Sequence, residues 1–163
     1  MLTYYSDDHH LHHGKCELID GQLMPCFEKP QRADHILARV KARQLGEVRA
    51  PKDFGLAPIA RVHTPEYIQF LSTIYPRWQR IPGAAPEVIP NIHPDRRNCA
   101  YPASAVGQAG YHQADTACPI GPQSWESIRW SANTATAAAI AVADDASEGP
   151  SWAYALCRPP GHH

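Results

Sequence analysis

SWAYALCRPPGHH, Ser151 to His163, decides how this chain is read. Ser151 to Cys157 is a short apolar run after a turn, too brief for a helix, and reads as a buried strand. Arg158 to His163 then turns sharply. Pro159 and Pro160 stiffen the backbone, and Gly161 lets it bend tightly. Two histidines at the carboxyl end of a strand stand where open parallel sheets gather their chemistry. Histidine titrates near neutrality, as a general base should. The other reading, a flexible tail or the remains of a tag, does not normally follow a buried strand through Pro-Pro-Gly.

The elements before this strand alternate. Leu2 to Tyr5 looks like a short strand running into polar residues. From Pro30, the residues Ala33, Ile36, Leu37 and Val40 recur at helical spacing, with Gly46 suited to the stop. Pro58 to Val62 is a short strand or a connector. Thr64-Pro65-Glu66 reads as N-cap, first-turn proline and first-turn acid, ahead of an apolar face of Tyr67, Ile68, Leu71, Tyr75 and Trp78. Ser124 suits an N-cap. Trp125, Ile128, Ala132, Ala135, Ala139 and Val142 then continue a long alanine-rich helix that Gly149 and Pro150 end. Strands alternating with helices predict an α/β fold with a mainly parallel sheet. Between these helices, Pro76 to Pro122 holds eight of the sixteen prolines. This stretch is expected to be mostly loop, and so long a loop in a compact domain is usually functional.

Composition narrows the field. The 163 residues suffice for one domain with a core. Apolar residues make up 44% and charged residues 19%, with a net charge of -1. There is no basic surplus to attract nucleic acid, and no apolar run long enough for a membrane span. The start, MLTYYSDDHH, lacks the marks of a signal peptide. Five scattered cysteines form no C-x-x-C, so reduced thiols in a cytoplasmic protein are expected, and a zinc finger or ribbon is excluded.

Three further stretches offer candidate chemistry. HHLHH, His9 to His13, sets four imidazoles within five residues. A metal site is one reading, but the spacing fixes no tetrahedral geometry, so an exposed loop with adventitious nickel or zinc binding is preferred. In FEKPQRADHI, Phe27 to Ile36, Lys29 and Gln31 read as solvated. Arg32 is a first-turn cation that opposes the helix dipole, which suggests a partner elsewhere. Asp115, in GYHQADTACPIG, reads as a solvated acid in a loop.

Taken together, CRPPGHH, FEKPQRADHI and RVHTPEYIQFL resemble the histone deacetylase family, within the arginase–deacetylase superfamily. The start, YYSDDHHLHHGKCELIDGQLMPCFEKP, and the middle, VGQAGYHQADTACPIGPQSWES, are most similar to bacterial acetylpolyamine amidohydrolases. The resemblance covers essentially the whole chain, and RPPGHH is its most specific element. It implies a three-layer α/β/α fold around a mainly parallel sheet, and a zinc-dependent hydrolase that removes acetyl groups from amines. It implies that His163 is general base and then general acid, and that His162 holds positive charge near the developing oxyanion. The zinc ligands and an electrophilic tyrosine would lie downstream of His163. The chain is therefore expected to be the N-terminal part of one deacetylase domain, truncated on its C-terminal side and inactive alone.

The same resemblance implies that residues 76–123 form an insert that builds a homodimer interface and narrows the substrate entrance. Asp115 matches an acid that pairs with the distal ammonium of the substrate. It is Asp where the family pattern has Glu, which shortens the reach. Val106 stands where another acid is expected, which weakens the negative rim. Arg32 matches an arginine lining a channel for acetate product. The expected substrates are acetylated polyamines or similar small amines. The alternatives are a lysine deacetylase acting on peptides or proteins, and a non-catalytic fragment or dimerisation module. The last is disfavoured because a sheet ending just after an apolar strand leaves an edge exposed, so the piece alone is expected to be poorly soluble or molten.

Overall fold

The structure is a computed structural model and describes residues 1–95, 98–143 and 151–162. In chain order its elements are β1 (Leu2–Tyr4), a 3-10 turn (Asp7–Leu11), β2 (Cys16–Ile19), β3 (Gln22–Pro25), α1 (Gln31–Ala42), β4 (Val48–Arg49), α2 (Ala57–Ala60), α3 (Pro65–Trp78), α4 (Ala105–His112), α5 (Ser124–Ala143) and β5 (Ala153–Ala155). They fall into two compact units. One holds Met1–His12, Pro30–Val62 and Glu126–Gly161, and the other holds His13–Lys29, His63–Trp125 and His162–His163.

The first unit is built on a parallel sheet in the order β4-β1-β5. Thr3, central in β1, faces Val48 on one side and Tyr154 on the other. Tyr5, Ala33 and Leu156 form its core, with Ile36, Leu37, Val48 and Tyr154 packed against them. The helical spacing from Ala33 to Val40 thus marks the face that α1 turns toward the sheet. Its end comes earlier than Gly46. Leu45 N–H donates to Val40 O at 3.1 Å, and Gln44 takes a left-handed φ of 48°. This is the helix-ending geometry that usually recruits glycine. Gly46 serves another purpose: a Cβ there would lie 2.2 Å from Met1 O, so only glycine lets the chain pass.

Two expectations for this unit need correction. Residues 58–62 are no strand: α2 covers Ala57–Ala60, with a proline in its first turn as helices tolerate. The strand expected over 151–157 is confined to Ala153–Ala155 and is half-buried, with Trp152 59% exposed. α5 forms as expected, and small residues line its buried side. Ala135, Ala139 and Val142 are exposed, and the buried positions are Ser127, Asn133, Thr134, Ala137 and Ala138. Small side chains admit close packing, and Thr134 satisfies its hydroxyl on Trp130 O at 2.7 Å. The expected stop at Gly149 and Pro150 lies outside the described residues.

The second unit opens with a hairpin that the sequence reading overlooked. β2 and β3 pair antiparallel, with Ile19 opposite Gln22. Asp20 and Gly21 link them with φ of 49° and 77°, the two left-handed residues that a tight hairpin turn requires. Thr116 joins the hairpin to the later chain: its carbonyl accepts from Leu18 N–H at 3.2 Å, and its hydroxyl donates to Leu18 O. α3 starts as expected, with Thr64 Oγ1 accepting from Tyr67 N–H and Pro65 in the first turn. Its buried positions are Phe70, Ile74 and Trp78, which join Val88, Ala109 and Ile120 in the core. Val88 and Ile120 exchange backbone hydrogen bonds of 3.0 and 3.1 Å. The proline-rich stretch is largely irregular but contains α4, capped by Ser104, whose hydroxyl accepts from Gly107 N–H at 3.1 Å.

Candidate active site

The loop after β5 is held by its own arginine. Arg158 is 1% exposed, and its guanidinium donates to His9 O and His12 O. A cation this deeply buried needs such partners. The 3-10 turn is therefore a socket whose backbone fixes the start of the loop. Ser131 on α5 adds two links: its carbonyl accepts from the Cys157 thiol, and its hydroxyl donates to Pro159 O, both at 3.4 Å. Arg158-Pro159 is a cis peptide bond. His162 is exposed at the end of the described loop, and His163, the expected general base, lies outside the described residues.

Arg32 does find a partner on this loop, with a guanidinium nitrogen 3.5 Å from Cys157 O. Asp115 falls in the second unit, where its Oδ1 accepts from Ala117 N–H at 2.9 Å and shapes its own turn. It is half-buried rather than fully solvated. Burial, reinforced by the neighbouring negative charge of Asp115, pushes the Cys118 thiol up to about 11. Val106 packs its side chain against the core of the second unit.

The histidine-rich turn differs most from expectation. It is not an exposed loop. His9 and His12 are 3% and 7% exposed, because the turn folds inward to receive Arg158. Tyr5 Oη lies 2.8 Å from His9 Nε2. Asp34, in the first turn of α1, brings Oδ1 to 3.3 Å from His9 Nε2 and 3.0 Å from His10 Nε2. Burial, then the adjacent His10, lowers the His9 pKa from its ordinary value, against the opposing pull of Asp34. Sequence reasoning missed Arg158, His9 and Asp34 as a set. The available signal was an arginine closing an apolar run, which must find acceptors if the strand is buried.

His9, His10 and Asp34 are the group of potential metal-binding side chains among the described residues. They are not the ligand set that the family resemblance implies for zinc, which lies past His163.

A parallel sheet flanked by helices, with the His162 loop following β5, makes this an α/β protein. The comparisons give its family. Residues 26–163 match the histone deacetylase domain, and the chain belongs to the histone deacetylase family. It is 48% identical over 164 residues to acetylpolyamine amidohydrolase 2 of Pseudomonas aeruginosa, covering 100% of this chain and 46% of that protein. Acetylpolyamine amidohydrolase of Mycoplana ramosa is 40% identical over 164 residues, with 100% and 47% covered. The crystal structure of acetylpolyamine aminohydrolase from Burkholderia pseudomallei superposes with a TM-score of 0.87 at 41% identity, covering 100% of this chain and 46% of that one. The chain thus spans just under half the length of these relatives.

Proposed function

We propose that the protein carrying this chain deacetylates acetylated polyamines or similar small amines. The observation that carries the reading is the loop after β5, tied down by buried Arg158, which presents His162 and leads into His163. Rigid placement suits acid–base catalysis, where a shift of about 1 Å can be costly. The family relationship supports hydrolytic removal of acetyl groups, and the names of the relatives support polyamine-type substrates.

In this reading the protein depends on zinc, whose ligands lie downstream of His163. When bound, zinc supplies Lewis acidity and activates water. His163 takes a proton from the attacking water and returns it to the leaving amine. His162 holds positive charge beside the oxyanion as it develops. Asp115 attracts the distal ammonium of the substrate, with residues 76–123 serving as the entrance and homodimer element. Arg32 handles the departing acetate. Five free thiols accord with a reducing, cytoplasmic setting. Without the downstream ligands, this 163-residue chain is expected to be inactive.

The test compares acetylputrescine with an acetyl-lysine peptide on the intact protein and its Asp115→Asn variant. Faster turnover of acetylputrescine, with a raised KM in the variant, is expected. Equal or better turnover of the peptide would replace this reading with a lysine deacetylase. An unchanged KM in Asp115→Asn would remove Asp115 from substrate recognition.

A further inference from the structure

We propose that His9, His10 and Asp34 form a structural zinc site that clips the 3-10 turn to the first turn of α1. The three side chains come from two separate stretches of chain, yet each offers a ligand atom within 4.8 Å of the others. Asp34 Oδ1 stands 3.3 Å from His9 Nε2 and 3.0 Å from His10 Nε2. Ligand atoms about 2.0–2.1 Å from a tetrahedral zinc lie roughly 3.4 Å apart. The Asp34 oxygen is therefore already close to coordination spacing from each imidazole nitrogen, and the two nitrogens lie within 4.8 Å of each other.

The arrangement around these atoms supports a ligand role. His10 Nδ1 lies 3.0 Å from Asp7 O. A proton on Nδ1 would donate to that carbonyl and leave Nε2 with its lone pair facing Asp34. Metal-binding histidines are commonly oriented in this way. The two imidazole rings lie side by side, with centroids 3.8 Å apart and a tilt of 35°. Two imidazolium rings at that distance would repel, whereas two neutral rings sharing a cation would not. Tyr5 Oη competes for His9 Nε2, but Asp7 offers it another hydrogen-bond acceptor. His9 is 3% exposed, whereas His10 and Asp34 are 49% and 39% exposed. One ligand is thus anchored in the core and the others face solvent, which leaves an entry path and room for water as fourth ligand.

Zinc is the cation that fits. Two imidazoles and one carboxylate are borderline ligands, and three protein donors plus water is a normal zinc complement. The clip would act on Arg158, because the turn that it ties down supplies His9 O and His12 O. The site would stiffen the socket under the His162 loop and need not touch substrate.

The test uses the intact protein, with and without added zinc, and probes its histidines with diethylpyrocarbonate. Peptide mass spectrometry reads each histidine separately, so zinc bound elsewhere does not confuse the result. Modification of His10 should fall at least about ten-fold when zinc is added, and that protection should vanish in Asp34→Asn. Metal counting on dialysed protein should give one zinc fewer in Asp34→Asn and in His10→Ala than in the parent protein. Unchanged His10 modification with zinc would overturn the proposal even if a variant failed to fold. So would loss of the same zinc in His13→Ala, since that would mark adventitious binding by a histidine-rich segment.

Discussion

Arg158 is a buried cation that answers two backbone carbonyls at once. Methionine at this position would fill much of the space and leave both carbonyls without that donor. Arg158→Met is expected to cost at least roughly 2 kcal/mol, read from denaturant unfolding of the intact protein. Lysine should recover little, because a single ammonium cannot reproduce the planar fork. A loss below about 0.5 kcal/mol in Arg158→Met would mean that the socket contributes little to stability. The thiols give a second prediction at the same scale. Cys26 is 4% exposed, and burial with the nearby Glu17 and Glu87 carboxylates pushes its pKa up to about 12. Cys118 is raised to about 11. At pH 8 the thiolate fraction of Cys26 is then on the order of one in ten thousand. Both cysteines should stay unlabelled by iodoacetamide for as long as glutathione takes to react fully. Labelling at the glutathione rate would contradict this picture of their surroundings.

At the scale of elements, α3 tests how much local sequence contributes. Thr64 accepts from Tyr67 N–H, so Thr64→Ala should lower stability by about 1 kcal/mol, and Thr64→Ser should restore most of it. Equal stability of Thr64→Ala and the parent protein would leave Pro65 and packing to define this helix start. The start was legible because a cap, a first-turn proline and an acid act within one turn. α1 was legible for a related reason: its apolar period coincides with the face it buries. The α5 face was not. Its contact stripe runs through Ser127, Asn133 and Thr134, whose small polar side chains carry no hydropathy signal. The β2–β3 hairpin had a readable turn in Asp20-Gly21, but β3 is exposed throughout and lacks the alternation that marks a strand. The candidate site divides the same way. RPPGHH could be read because prolines and glycine act locally, whereas the socket could not. Arg158 and His9 lie 149 residues apart in sequence, and His9 and Asp34 meet only when the turn folds onto α1.

For the whole molecule, cohesion rests on two separate cores, one around Tyr5, Ala33 and Leu156, the other around Phe70, Ile74 and Trp78. The first unit also carries polar links. Asp53 is one of these: it accepts from Gly55 N–H at 2.7 Å and Asn133 Nδ2 at 3.3 Å, and pairs with Arg129 at 3.0 Å. The Gly55 N–H, then Asn133 and Arg129, holds its carboxyl below the usual carboxylate range. A group whose pKa is lower in the folded state binds fewer protons there than in the unfolded chain. Its stabilisation is therefore full above the unfolded value of about 3.9 and is lost as pH falls through the folded value. Because Asp53 ties α5 to the segment before α2, beside the Phe54 N–H bond to Asn133 Oδ1, acid should loosen the first unit at this joint. In Asp53→Asn, stability should be lower at neutral pH and fall less steeply in acid, with the proton uptake on unfolding reduced by up to about one proton. Urea unfolding at a series of pH values from neutral to strongly acid measures both effects. Parallel curves for the variant and the parent protein, offset or not, would show that Asp53 carries no part of the acid sensitivity.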